Sequence, residues 1–111
     1  MALLPTYNEG SDFELGVSLL DFDGDPLTPE TAHWSVYDTA TETLLVDWTE
    51  ITITAGAGTI EVPAAATAIV TAKNNDYETR VLTLALTYAG GKEHNEEYWF
   101  RVKNLRAIPR T

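Results

Sequence analysis

The chain has 111 residues, 44% of them hydrophobic, and a formal net charge of −10. That length fits one domain, and the apolar share excludes a largely disordered segment. The absence of cysteine excludes both a disulfide framework and a thiolate metal site.

The charge is uneven along the chain. Residues 1–100 hold three bases (Lys73, Arg80 and Lys92) against all 17 acids, a net of −14. Residues 101–111 hold Arg101, Lys103, Arg106 and Arg110 and no acid. A negative body repels phosphate backbones, so direct nucleic-acid binding is not expected. No run approaches the roughly 20 apolar residues that span a bilayer. The opening Met1-Ala2-Leu3-Leu4-Pro5 has no basic n-region and no long apolar stretch, so no signal peptide is expected.

In chain order, period-2 alternation predicts strands. Phe13, Leu15, Val17 and Leu19 form the first apolar register, followed by a turn at Asp23-Gly24-Asp25-Pro26. Trp34 and Val36 alternate with His33, Ser35 and Tyr37. Leu44, Val46 and Trp48 form the next register, so Trp34 and Trp48 are both expected in the core. Ile60 and Val62 flank Glu61, after a turn at Ala55-Gly56-Ala57-Gly58. The Ala-rich Pro63–Ala72 predicts one or two helical turns crossing between sheets. Leu82, Leu84, Leu86 and Tyr88 make the longest register. Glu93-His94-Asn95-Glu96-Glu97 is expected as a solvated hairpin loop. Tyr98, Phe100 and Val102 then face inward and Trp99 outward, beside Arg101 and Lys103. Six or seven short strands at this spacing predict an all-β sandwich or jelly-roll-like domain over residues 12–104, with an immunoglobulin-like topology as the alternative.

Residues 1–11 and 105–111 lack clean alternation but carry apolar anchors, namely Leu3, Leu4, Leu105 and Ile108. They are expected as N- and C-terminal arms that order on a partner. With Trp99, Arg101, Lys103, Arg106 and Arg110, these residues form the expected partner-binding set, since Trp and Arg are enriched at interface hot spots.

No catalytic constellation is visible, and no enzyme activity or cofactor is expected. His33 and His94 fall on different elements, and Ser11, Ser18 and Ser35 lie in no nucleophile elbow. Asp21, Asp23 and Asp25 crowd around Gly24, but the calcium-loop spacing fails: the twelfth position counted from Asp21 is Ala32 rather than a bidentate Glu. A tight turn is the expected role of that segment.

Four segments in order are Asp23-Gly24-Asp25-Pro26-Leu27-Thr28, Trp34-Ser35-Val36-Tyr37-Asp38, Glu78-Thr79-Arg80-Val81-Leu82-Thr83-Leu84 and Glu97-Tyr98-Trp99-Phe100-Arg101-Val102-Lys103-Asn104. In layout and size the chain resembles the small β-sandwich virion proteins of tailed bacteriophages that decorate or cement capsids. That resemblance implies a structural role on the outer capsid surface, stapling the major capsid protein against internal DNA pressure, as a dimer or trimer. A neck or tail accessory protein and a carbohydrate- or receptor-binding module are the alternatives.

Overall fold

The computed structural model describes residues 2–20, 24–69, 76–88 and 91–104. Among the described residues there are eight strands: β1 Ala2–Leu3, β2 Tyr7–Asn8, β3 Phe13–Ser18, β4 Thr31–Asp38, β5 Thr43–Glu50, β6 Ala57–Val62, β7 Tyr77–Tyr88 and β8 Lys92–Lys103. They form the expected all-β domain of two sheets. The large sheet runs β1-β8-β7-β4-β5, with β2 also on β8, and the small sheet is β3-β6. The predicted helical crossing shrinks to one 3-10 turn, Ala64–Thr67. Val70–Ala72 lie outside the described residues.

The core follows the alternating registers. Ala32, Trp34 and Val36 of β4, Leu82, Leu84 and Leu86 of β7, and Phe100 and Val102 of β8 are buried. Val17 of β3 and Ile60 and Val62 of β6 face them from the small sheet. Non-strand pieces extend this second layer: Ile53 and Ala66 are buried, and Leu27, Ile51 and Ile69 pack against the cluster.

Of the segment 1–11, expected as an arm that orders on a partner, residues 2–8 run along the edge of the large sheet. Ala2 and Leu3 pair with Tyr98 and Trp99, and Tyr7 and Asn8 pair with Val102 and Lys103, all parallel. The edge strand breaks at Pro5, which has no N–H to give to a ladder. The reason for docking is Tyr7. Its ring stacks on Phe13 at 3.8 Å between centroids and meets Phe100 edge-on at 5.8 Å. Leu105–Thr111, the expected C-terminal arm, lie outside the described residues.

Glu93–Glu97 is strand, not a solvated loop. β7 and β8 form a continuous antiparallel ladder from Tyr77↔Lys103 to Tyr88↔Lys92. The turn closes at Gly91, whose φ of +75° is open to glycine without a Cβ penalty.

The second correction concerns β5. Trp34 pairs with Thr49, Val36 with Val46 and Tyr37 with Leu44, and the register shifts twice between them. Each bulge adds one residue and reverses the facing that alternation implies. Val46 therefore packs on the core, while Leu44 and Trp48 turn outward, 46% and 49% exposed.

One end of the sandwich is closed by ions. Arg80, 0% exposed, occupies an inward position of β7. It donates through Nη1 to Asp38 Oδ1 at 2.5 Å, and through Nη2 to Glu78 Oε1 at 2.6 Å and the Ala68 carbonyl at 2.8 Å. Asp38 Oδ2 in turn accepts from the Thr41 amide and hydroxyl, at 2.9 and 2.6 Å, which fixes the β4–β5 turn. Arg80→Ala should cost about 3–5 kcal/mol, because it removes the guanidinium that both buried carboxylates bond. Trp34→Ala and Leu84→Ala should each cost about 2–5 kcal/mol. Urea unfolding checks all three, and a loss below about 1 kcal/mol for Arg80→Ala would show that the triad is dispensable.

Candidate functional site: the outer face of the large sheet

Directly paired residues share a face, so the registers can be followed across the sheet. Leu3 pairs with Trp99, Trp99 with Val81, Val81 with Tyr37 and Tyr37 with Leu44. All five lie on the side away from the small sheet. They form one unbroken apolar row across five strands, about 19 Å wide at the usual strand spacing. Leu3 is 80% exposed. Ser35, Thr83 and Trp48 lie beside the row, and with Tyr37, Leu44 and Trp99 they line a shallow groove. A second groove runs from Trp48 past Thr83 and Ala85 to β8, where residues of both registers line it: Asn95 and Glu97, and also His94, Glu96 and Tyr98.

Polar rows flank this belt with opposite charge. Toward one end come Arg101, paired across the ladder with Thr79, and Lys103, paired with Tyr77. The Arg101 guanidinium lies over the Tyr77 ring, 4.6 Å from its centroid, a cation–π arrangement. Toward the other end come Glu97 paired with Thr83, Asn95 with Ala85, and Glu93 with Thr87. On the same side His33 sits 3.8 Å from Glu50. Trp99 Nε1 donates to Glu97 Oε1 at 3.2 Å, which orients the indole. The Tyr37 phenol is held above its ordinary pKa by burial, then by the charge of Glu42 and a hydrogen bond to it. It remains a neutral phenol at physiological pH.

Of the expected partner-binding residues, the structure brings Leu3, Trp99, Arg101 and Lys103 together on this face. Leu4 packs against the core instead, its amide donating to the Trp99 carbonyl at 2.9 Å. Leu105, Arg106, Ile108 and Arg110 lie outside the described residues. The expectation missed Tyr37, Val81, Leu44 and Trp48. Tyr37 and Val81 stood on the outward register of their strands in the sequence and could have been found there. Leu44 and Trp48 could not, because no residue type announces the two bulges. Asp21 and Asp23 of the considered calcium loop lie outside the described residues, while Gly24 adopts φ +83°, as a tight turn requires. Among the described residues no three His, Cys, Asp or Glu side chains gather as a metal site. No helix there is long and apolar enough to cross a membrane.

No protein family matches the chain, and no curated protein matches it. Among solved structures it is similar to CopC from Methylosinus trichosporium OB3b, at 14% identity and a TM-score of 0.49, over 97% of this chain and 88% of that one. This finding corrects the expectation of a bacteriophage decoration protein: the solved likeness is to CopC. Capsid stapling and the neck or tail alternative are withdrawn with it. At that identity the likeness concerns the fold alone.

If β5 is bulged as described, Trp48→Ala should cost less than about 1 kcal/mol, far below Trp34→Ala, because half of the indole is already in water. Chemical denaturation of the two variants side by side measures this. Equal losses would restore an unbulged β5 with Trp48 in the core.

Proposed function

We propose that the chain is a non-catalytic binding domain whose working unit is two copies packed face to face through the outer side of the large sheet. The observation that carries this is the apolar row Leu3–Trp99–Val81–Tyr37–Leu44, which crosses all five strands. Leu3 and Leu44 are exposed at its two ends, Trp99 and Tyr37 are half-buried, and Val81 is buried between them. An apolar row with polar flanks of this kind is a surface suited to being covered.

Charge selects the occupant and its orientation. A self-complementary interface needs a two-fold axis, and for two sheet faces that axis lies in the plane between them. An axis parallel to the strands lays each polar row over the same row of the other copy, so the basic end meets the basic end. An axis along the apolar row reverses the strands of one copy, sets Trp99 near Trp99, and places Arg101 opposite Glu97 and Lys103 near the Asn95–Glu93 end. The second arrangement pairs opposite charges over an apolar centre, with the sheets about 10 Å apart as in other aligned packings.

Sedimentation equilibrium tests this. The native chain should be a dimer at micromolar concentration, and Tyr37→Glu should be a monomer with an unchanged far-UV spectrum. Arg101→Glu should weaken the dimer, and adding Glu97→Arg should restore it, because each new charge then meets its complement on the other copy. A native chain that is monomeric at high concentration overturns the proposal. A double variant no better than Arg101→Glu alone overturns this orientation.

A further inference from the structure

The inward side of β8 carries residues that do not belong in a core. His94 and Glu96 pair with Leu86 and Leu84, which are both buried. They therefore stand on the core-facing register. Beside them the end of β3, the loop that returns through Leu27, and the β7–β8 hairpin leave a cleft of about 420 Å³. Leu19, Leu20, Leu27 and Tyr88 form its apolar wall, and His94 and Glu96 form its polar rim.

The wall is held in place by backbone. Leu20 bridges to Pro26, and the Leu27 amide donates to the Leu19 carbonyl at 3.0 Å. This loop rests directly on Gly56, where a Cβ would come within 2.6 Å of the Leu19 carbonyl oxygen and 3.1 Å of the Leu27 nitrogen. Only glycine allows that approach, at a φ of +78°. At the rim Leu20 is left 61% exposed.

The field in the cleft is set by one carboxylate. Glu96 Oε2 accepts from the Tyr98 hydroxyl at 2.6 Å, and Glu96 Oε1 lies 3.2 Å from His94 Nε2. Both neighbouring phenols sense it. Tyr98 is pushed well above its ordinary pKa by burial, then by the hydrogen bond and charge of Glu96. Tyr88 is pushed up by burial, then by the charge of Glu96. A carboxylate hydrogen-bonded by one phenol, at the rim of an apolar wall that includes Tyr88, suits a positive head on an apolar body.

We infer that this cleft is a binding site for a small organic cation, with the ammonium at Glu96 beside Tyr88 and the apolar part against Leu19, Leu20 and Leu27. The site stands on the inward register of β8 and the proposed dimer row on the outward one, so it does not depend on that proposal, although His94 and Glu96 also border the groove that runs to Trp48.

The experiment is an amide-shift titration of the native chain, in buffer containing EDTA, with benzyltrimethylammonium, benzyl alcohol and benzoate as probes. The cation should shift Leu20, Tyr88, His94 and Glu96 and saturate. Benzyl alcohol should bind at least about tenfold more weakly, and benzoate should not bind. Glu96→Gln should weaken the cation about tenfold, whereas Tyr98→Phe, which frees one carboxylate oxygen, should not weaken it. Equal binding of all three probes overturns the inference, as do shifts confined to Trp48 and Trp99, indifference to Glu96→Gln, or no binding at 10 mM probe.

Discussion

A two-stranded sheet spans one inter-strand spacing of about 5 Å, whereas the large sheet, at five strands, spans about 19 Å. The small sheet β3–β6 therefore cannot cover its partner, and each unusual feature of the domain answers that shortfall. Part of the gap is filled by chain that is not strand: Ile51, Ile53, Ala66, Leu27 and Ile69 all pack on the core. Tyr7 fills another part by folding the N-terminal edge strand over Phe13 and Phe100. Where these pieces run out, beside the β7–β8 hairpin, the inward register carries His94 and Glu96 rather than leucines. The other side of the large sheet has no covering layer among the described residues, and there the ends of the apolar row, Leu3 and Leu44, are left in solvent.

The Arg80 triad is the polar counterpart of the same problem. At the end where β4 and β7 meet the chain leaving the 3-10 turn, an apolar plug would have to satisfy the Ala68 carbonyl and anchor a turn at once. A guanidinium does both, because it offers several donors in a fixed plane. Asp38 links it to the Thr41 amide, so the ion cluster also sets where β4 ends and β5 begins. The registers of β5, and so the outward aim of Leu44 and Trp48, follow from that starting point. Burying ions is costly unless each is partnered. Asp38 and Glu78 both bond Arg80, although Arg80 Nε itself is buried without a hydrogen bond in the structure.

Much of this was legible in the residues. Alternation located β3, β4, β7 and the second half of β8 with their inward faces, because in those strands side-chain period and burial agree. It failed where geometry departs from period two, or where polarity is used against it. The two bulges in β5 reverse Leu44 and Trp48 without any change in composition. Glu93–Glu97 looks like loop because its residues are polar, yet a twelve-residue ladder with β7 holds it as strand. Tyr7 gave no sign of docking, because its stacking partners are distant in sequence. The acidic body and basic end were visible at once, but their meaning depended on Arg101 and Glu97 standing two residues either side of Trp99 on one face.

β8 shows how one strand serves two surfaces. Tyr98 donates to Glu96 on the inner side, and Trp99 donates to Glu97 on the outer side. Each is an aromatic reaching back two residues to a carboxylate, and the two pairs are offset by one position. A slip of one residue in the β7–β8 register would exchange them, putting Trp99 over the cleft and Tyr98 on the apolar row, and would turn Phe100 and Val102 out of the core. Burial of Phe100 and Val102 therefore does more than stabilise the fold. It fixes which aromatic faces which surface, and so keeps a negative cleft and an apolar belt apart on a strand only one residue thick.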